Sequence, residues 1–348
     1  MIHHLRSAFP LRQIVIYAHP LVGIDESRLT KFLARHTGLS VVRTAPVMPI
    51  SKLDRALSSS PFRRETQKKL IGKFANQAAA QVAEFANFEA ILIAGGDQWS
   101  GRELGLSMFG TITAIHSINP NLYAFPFSLK SSLLGLYTKP TLQSYFGMLR
   151  QPLIARDSTT KSLLDQLDIP VVQGADCVFS LRGQATGIPP ATGRDSSRIL
   201  YVVKGQEPLL AEALKGLLDE GINVELLTTC HEEDRRVYEP LAARFGLVYH
   251  QPATWQEIVA EFKSCSLVVT NRLHGLILGS LAGAPLLPVT DRKKAWAFAN
   301  DTEIPHSAER ARNVTPQLIN KAVSDRDLIR SKVDQYLHAC LSIPYSPI

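Results

Sequence analysis

The sequence predicts an α/β protein made of two Rossmann-like, doubly wound domains that face a cleft. Its 348 residues, 45% apolar and 20% charged, suffice for two domains of about 150 residues, each with a full core. Short β-branched runs alternate with helical stretches in both halves, which indicates parallel sheets covered by helices on both faces. A glycine- and proline-rich segment lies between the halves and is typical of a linker.

The first domain is predicted at residues 1–182. Its strand candidates are short apolar runs at Gln13–Tyr17, Ala90–Ala94, Leu122–Phe125 and Val171–Val172. One or two helices are predicted within Lys52–Glu84, and another over Thr160–Leu167. A linker is predicted at residues 183–197, where glycine, proline and small polar residues interrupt the apolar patterns of strands and helices.

The second domain is predicted at residues 198–307, where strand and helix candidates alternate more regularly than in the first domain. Its strand candidates are Ile199–Val203, Val224–Leu227, Leu247–Tyr249, Leu267–Val269 and Leu286–Val289. The helical stretches between them are Glu207–Glu220, Glu233–Arg244, Thr254–Lys263 and Leu273–Leu281. Residues 308–348 predict a helical tail, to about Leu341, that packs back toward the first domain. Ligands of doubly wound sheets bind beyond the carboxyl ends of the strands, so we expect the chemistry just after strands.

Charge and composition narrow the classes of partner that we expect for this protein. Thirty-eight Lys and Arg against 31 Asp and Glu leave a net charge of +7, which attracts anions. There is no basic block or basic-aromatic module, so nucleic acid is not expected as a partner. The four cysteines have no C-x-x-C spacing, which argues against a zinc site and against a disulfide framework.

The distribution of apolar residues also predicts where the protein is located in the cell. No stretch approaches 18 apolar residues, and the first ten residues lack the apolar core of a signal peptide. We therefore expect a cytoplasmic protein, and peripheral association with the inner face of the membrane stays open because basic patches attract anionic lipids.

The segment after Leu267–Val269 carries the strongest chemical signal. Thr270 or Asn271 is placed to cap the next helix, and Arg272 and His274 fall where that helix begins. The N–H groups and the positive dipole end of a helix start favour bound anions. On the residues alone, a surface arginine and a histidine with no ligand explain the segment equally well.

Three glycines follow at a regular spacing, Gly275, Gly279 and Gly283. Their positions at i, i+4 and i+8 predict one smooth helix face that lies close to the sheet.

Several segments together resemble the polysaccharide pyruvyl transferase family. Asn-Arg-Leu-His-Gly at 271–275, followed by an apolar helix and Gly-Ala-Pro at 283–285, resembles the family signature Ser-x-Arg-Leu-His-Gly and Gly-x-Pro. Three weaker blocks agree in order: Arg-Asp at 156–157 with Asp-Cys-Val-Phe at 176–179, Gly-Gly-Asp at 95–97, and Asp-Arg-Lys at 291–293. The resemblance spans about residues 90 to 300.

The resemblance implies a GT-B-like fold and a reaction. The enolpyruvyl unit of phosphoenolpyruvate is transferred to two hydroxyls of a sugar, which gives a pyruvate ketal and releases phosphate. Phosphoenolpyruvate is then a co-substrate, and no cofactor is expected. The first domain is the expected acceptor side and the second the donor side.

Residue roles follow from that chemistry. Protonating the methylene group of the donor needs a general acid, and a histidine suits this step, so we assign it to His274. The donor carries about three negative charges, which call for arginine forks and a helix end. Arg156, Arg272 and the backbone at Leu273 are the expected donor-binding groups, with Arg272 also catalytic. Lys293 either joins them or is a solvated lysine in a charged run.

The acceptor is expected to be a saccharide, lipid-linked or not. Gly95 and Gly96 could offer backbone N–H groups to it, Asp97 could bind a hydroxyl, and Trp99 could cover a sugar face. A structural tight turn is an equally good interpretation, because a Gly-Gly pair gives the backbone freedom in φ.

Other interpretations stay open. A GT-B glycosyltransferase that uses a nucleotide sugar would share the architecture and the anion site, and a non-catalytic saccharide-binding relative would share the cleft. The acidic run His231–Asp234 is better explained as helix-start acids than as a metal patch. Asp176 either orients Arg156 or caps a turn.

Overall fold

The computed structural model describes residues 14–18, 39–44, 63–93, 105–193 and 195–341. The chain divides into two compact units, and the boundary lies between Cys177 and Val178. The first domain was predicted to extend five residues further. Both units combine parallel strands with helices, which confirms the predicted α/β fold class.

The described strands of the first unit form three parallel pairs. They are β1 (Ile14–Ala18) with β2 (Leu39–Thr44), β3 (Ile91–Ile93) with β4 (Leu122–Ala124), and β5 (Leu153–Ala155) with β6 (Val171–Gln173). An isolated bridge between Phe127 and Ala155 links the segment after β4 to β5. Parallel neighbours require crossover connections, and helices provide these in the described part of the unit.

The helices of the first unit pack around an aromatic core. They are α1 (Arg63–Val82), α2 (Gly105–Ile118), α3 (Ser132–Leu136), α4 (Lys139–Phe146) and α5 (Ser158–Gln166), with a short 3-10 helix at Ala83–Asn87. A Cβ atom at Gly110 would lie 2.4 Å from Cβ of Phe74, so the missing side chain lets α1 and α2 approach closely. Phe109, Tyr145 and Phe146 are buried beside them.

The second unit contains a five-stranded parallel sheet. Its strands are β7 (Ile199–Val202), β8 (Val224–Leu227), β9 (Tyr249–His250), β10 (Leu267–Thr270) and β11 (Leu286–Pro288), in the order β11-β10-β7-β8-β9. This is the doubly wound order, in which the chain reverses its direction of travel across the sheet between β7 and β10. Every residue of β7 and β10 is buried, as expected of central strands covered on both faces.

The helices of the second unit begin and end at recognisable signals. They are α6 (Arg182–Thr186), α7 (Glu207–Asp219), α8 (His231–Phe245), α9 (Trp255–Lys263), α10 (Leu273–Ala282), α11 (Lys293–Asp301), α12 (Pro316–Ser324) and α13 (Arg326–Leu341), with 3-10 turns at Cys177–Leu181 and Ala311–Asn313. Thr254 caps α9 by accepting the N–H of Glu257. Gly246 and Gly283 end α8 and α10 in the left-handed conformation, with φ of 66° and 64°, which suits glycine at a helix end.

The predicted linker at 183–197 is packed into the second unit. Most of α6 falls in it, and Ala185 is fully buried. Lys263 Nζ donates hydrogen bonds to the carbonyl oxygens of Ala185 at 2.8 Å and Ile188 at 2.7 Å. These contacts replace the open connection that the glycine and proline content suggested.

The predicted helical tail also contacts the second unit. The described contacts of α13 lie within the second unit: Arg330 Nη2 donates to the carbonyl oxygen of Gly283 at 2.7 Å, and Lys332 Nζ lies 2.5 Å from Glu303 Oε2. Tyr336 packs edge-on against Phe298. Packing of this tail toward the first domain stays a prediction. Among the described helices, none is long and apolar enough to cross a membrane.

Candidate active site

The start of α10 lies at the carboxyl edge of the sheet, where the strand order reverses. Arg272 is the N-cap residue, with φ −93° and ψ 127°, and no side chain caps the helix. The expectation that Thr270 or Asn271 caps it is therefore wrong. Thr270 Oγ1 instead donates to the carbonyl oxygen of Val202 at 2.8 Å and accepts the N–H of Arg272 at 3.0 Å. The hydroxyl thus ties β10 to β7 immediately before the helix.

The glycines of α10 fix how closely this helix approaches the sheet. A Cβ atom at Gly275 would lie 2.5 Å from Thr270 Oγ1, and one at Gly279 would lie 2.5 Å from Leu286 Cδ2. The prediction of a smooth helix face is confirmed at these two positions. Gly283 instead ends the helix.

Arg272 is held by a buried carboxylate. Its Nη2 forms an ion pair with Asp234 Oδ1, and the two side chains are 13% and 3% exposed. Thr228 Oγ1 donates to the other carboxylate oxygen of Asp234 at 2.7 Å. Sequence reasoning treated Asp234 only as a helix-start acid and missed this pair. One sequence signal could have indicated the pair. Asp234 and Arg272 both follow predicted strands, and the carboxyl ends of parallel strands lie at the same edge of a sheet.

Asn271 connects three segments at the same edge. Its Oδ1 accepts the N–H of Lys204 at 2.8 Å, and its Nδ2 donates to the carbonyl oxygen of Lys204 at 2.8 Å. Nδ2 also lies 3.0 Å from Asp291 Oδ1. The side chain is 1% exposed, so these bonds satisfy a buried amide. The segments after β7, β10 and β11 are thereby joined, a role that the sequence did not reveal.

The remaining predicted donor-side residues lie at helix starts on this edge. Leu273 and His274 are the first two residues of α10, and the His274 side chain is exposed. Lys293 is the first residue of α11 and is also exposed. Neither helix has an acidic residue in its first turn. Both helix ends therefore keep their attraction for anions.

Two tyrosines lie below this edge. Burial raises the pKa of Tyr201, and the charge of Asp291 raises it further. Burial also raises the pKa of Tyr238, whose hydroxyl donates to the carbonyl oxygen of Val203 at 2.9 Å. Both phenols stay protonated at neutral pH and do not serve as bases there.

Arg156 belongs to the first unit, directly after β5. Its Nη1 lies 2.8 Å from Asp176 Oδ2, and both side chains are under 10% exposed, at 7% and 8%. Its Nε donates to Ser128 Oγ at 2.6 Å, and Ser128 in turn donates to Asp157. Asp157 caps α5 by accepting the N–H of Thr160 at 2.7 Å. Of the two interpretations of Asp176, the structure supports the one in which it orients Arg156.

The structure brings part of the predicted site together at one edge of the second unit. Arg272, Leu273, His274 and Lys293 share the carboxyl edge of the second unit, whereas Arg156 lies in the first unit. The predicted acceptor residues Gly95, Gly96, Asp97 and Trp99 lie outside the described residues.

A parallel doubly wound sheet with helix starts and basic residues at its carboxyl edge defines an α/β protein whose strand ends suit an anionic ligand. The model of one family, polysaccharide pyruvyl transferase, matches residues 34–291. The chain belongs to this family, and the resemblance seen in the sequence is confirmed. No curated protein sequence matches the chain.

Similar solved structures identify the type of fold. UDP-GlcNAc 2-epimerase from Neisseria meningitidis, bound to UDP-GlcNAc, matches with a TM-score of 0.56 at 12% identity over 96% of this chain and 90% of that one. Another UDP-N-acetylglucosamine 2-epimerase matches with a TM-score of 0.50 at 12% identity over 96% and 97%. At such identities the likeness concerns the fold alone, which is of the GT-B type.

Proposed function

We propose that this protein transfers the enolpyruvyl group of phosphoenolpyruvate to a saccharide, forms a pyruvate ketal and releases phosphate. Membership of the family makes it a transferase that acts on polysaccharide. One observation carries the finer proposal. At the start of α10, a guanidinium held by a buried carboxylate lies two residues before an exposed imidazole.

Donor binding is assigned to the anion-attracting groups of that edge. Arg272 is held by Asp234 through Nη2, and a planar guanidinium held in this way suits a phosphate or carboxylate. The N–H groups at Leu273 and His274 add the helix end. Lys293 supplies a point charge from α11. Arg156 lies in the first unit, is oriented by Asp176 and Ser128, and stays a predicted donor-binding residue.

His274 is assigned the proton transfer. It protonates the methylene carbon of phosphoenolpyruvate, which becomes the methyl group of the ketal. The adjacent carbon then has oxocarbenium character and bonds successively to two sugar hydroxyls, while its bond to the phosphate oxygen breaks. The hydroxyls lose two protons: one replaces the proton given to the methyl group, and the other leaves with phosphate. Arg272 stabilises the departing phosphate. Phosphoenolpyruvate is the only co-substrate in these steps.

The acceptor is proposed to be a saccharide, either lipid-linked or a small glycoside. Gly95, Gly96, Asp97 and Trp99 stay the predicted acceptor residues of the first domain. Peripheral association with a membrane would bring the enzyme to a lipid-linked acceptor.

Phosphate release tests the proposal. We expect release from phosphoenolpyruvate with at least one acceptor from a panel of lipid-linked and soluble saccharides, and mass spectrometry should show the ketal product. Arg272→Ala should weaken phosphoenolpyruvate binding by roughly tenfold or more, the scale of a charge-assisted hydrogen bond. Calorimetric binding of nucleotide sugars without binding of phosphoenolpyruvate would instead favour a glycosyltransferase. Saccharide binding without turnover would favour a non-catalytic relative.

A further inference from the structure

The reversal of strand order gives the second unit a crevice with two sides. Ligands of doubly wound sheets bind there, beyond the carboxyl ends of the two strands. One side is the turn after β10, with Arg272. The other is the segment after β7, from Val203 to Gln206, and nothing in the proposed function uses it.

Lys204 lies in this second segment, and its backbone is fixed in both directions. The Asn271 amide accepts its N–H and donates to its carbonyl oxygen, both at 2.8 Å, as a neighbouring strand would. Gly205 follows, and a Cβ atom there would lie 2.9 Å from Leu210 Cδ2. The Lys204 side chain is half-buried. Its position relative to Arg272 is therefore fixed by a side chain from the Arg272 turn itself.

The charges at this edge leave a need for another cation. Asp234 offsets the charge of Arg272 through a buried ion pair, and the Asp291 carboxylate lies against Asn271. A donor with about three negative charges is not balanced by Arg272, Lys293 and the two helix ends, because Asp234 offsets Arg272 and a helix end carries only about half a charge. Lys204 adds a further positive charge on the β7 side of the crevice.

We propose that Lys204 is a further donor-binding residue and that Asn271 is the positioning residue that holds it at the crevice. In naming the donor as phosphoenolpyruvate this inference rests on the proposed function. The shared chemistry is wider, since the Lys204 ammonium would pair with a phosphate group of any anionic ligand bound at this crevice.

Lys204→Met tests the first half of the proposal. We expect the KM for phosphoenolpyruvate to rise by about tenfold or more while kcat changes little, because the contact is made in the ground state as well as in the transition state. The matched control is Lys215→Met on α7. Lys215 is exposed and lies 2.5 Å from Asp219, so its loss should leave both constants unchanged.

A double-mutant cycle tests the second half. Asn271→Ala should raise KM in the same direction, and Lys204→Met with Asn271→Ala should be no worse than Lys204→Met alone, because Asn271 acts through Lys204. A merely structural role would make the two effects independent and additive, and additive effects would overturn the positioning role. Urea unfolding of each variant shows whether it is folded under the assay conditions.

Binding measurements separate this inference from the proposed function. Phosphoenolpyruvate, inorganic phosphate and UDP are titrated calorimetrically into wild type and Lys204→Met. If wild type does not turn over phosphoenolpyruvate but binds one of these anions, a tenfold weaker affinity in Lys204→Met supports the crevice site while the proposed function fails. Equal affinities in wild type and Lys204→Met, or no binding of any of the three anions, overturn the inference whatever the activity.

Discussion

At the residue scale, the start of α10 gives different tasks to Arg272 and His274. Arg272 is 13% exposed and bound to Asp234, so it acts as a fixed charge. The His274 side chain is exposed, and the proposed reaction takes its proton from this group. In that reaction the same helix start would bind a charged group and offer an acid or base beside it.

His274→Ala should separate binding from chemistry. We expect kcat to fall by about 10²- to 10⁴-fold, the usual contribution of a general acid, while the calorimetric affinity for phosphoenolpyruvate stays within about twofold. His338→Ala is the matched control, because His338 is an exposed histidine on α13 and should leave kcat unchanged. A full loss of donor affinity in His274→Ala would assign the histidine to binding instead.

Asp234→Asn should reveal how far Arg272 depends on its partner. The substitution keeps the size of the side chain but leaves the half-buried guanidinium without its counter-charge, so the free energy of unfolding should fall by about 3 kcal/mol. Urea denaturation measures this loss in the free energy of unfolding. The control is Asp219→Asn, which breaks an exposed pair with Lys215 and should cost at most about 1 kcal/mol. Equal losses in the two variants would show that burial of the Arg272 pair has no special effect.

The sequence predicted Arg272 and His274 because a strand end and a helix start are local features. It could not predict their partners. Asp234 is 38 residues from Arg272, and Lys204 is 67 residues from Asn271. Such contacts depend on which strands become neighbours, and apolar periodicity does not encode the order of strands. Asn271 was therefore interpreted as a local cap, whereas its amide joins distant segments.

At the element scale, most strands and helices of the second unit fall where periodicity predicts them. β8 matches its predicted bounds, Val224–Leu227. β9 differs: the prediction was Leu247–Tyr249, and the strand is Tyr249–His250. It lies at the edge of the sheet and pairs only with β8, so register with one neighbour sets its limits. Helix α8 begins at His231, two residues before its predicted start.

The close approach of α10 to the sheet gives an element-scale prediction. Gly275→Ala would place a Cβ atom 2.5 Å from Thr270 Oγ1, so helix or strand must shift, and we expect a loss of about 1–3 kcal/mol in the free energy of unfolding. Gly216→Ala on α7 is the control. It meets no atom within 4 Å, so better helix propensity should stabilise the protein by up to about 1 kcal/mol. Thermal or urea unfolding compares them, and stabilisation by both variants would contradict the tight contact.

At the scale of the whole molecule, composition and alternation predicted the α/β class but not how the predicted linker packs. Glycine, proline and small polar residues suit an open connection, yet they also suit a backbone that packs closely. The carbonyl oxygens of Ala185 and Ile188 accept bonds from Lys263, which is 78 and 75 residues away. Packing of this kind is a property of the folded unit and cannot be read from local composition.

The opposite edge of the second unit carries a buried charge cluster. Arg198 is fully buried, with Nη1 2.5 Å from Glu225 Oε2 and Nη2 2.6 Å from Glu261 Oε2. His250 Nε2 lies 2.6 Å from the same Glu225 oxygen. Burial raises the pKa of Glu225, but hydrogen bonds from Arg198 and His250 and their charges outweigh it and hold the pKa below its ordinary value.

This lowered pKa fixes the sign of a pH dependence. Between the folded and unfolded pKa values of Glu225 the unfolded chain binds more protons, so the stability from this carboxylate is present above the unfolded value, about 4.3, and is lost as pH falls through the folded value. Glu225→Gln should therefore destabilise the protein most above about pH 5, by roughly 3 kcal/mol. The difference from wild type should shrink in more acidic solution.

Urea unfolding from pH 3.5 to pH 7 measures that difference. The control is Glu212→Gln, an exposed residue on α7, whose difference from wild type should be small and flat with pH. A Glu225→Gln difference that stays constant, or grows as the solution becomes more acidic, would contradict a carboxylate held ionised by Arg198. The expected pattern would make this cluster, at the edge remote from the α10 start, a source of stability in the second unit that is separable from the donor-binding residues.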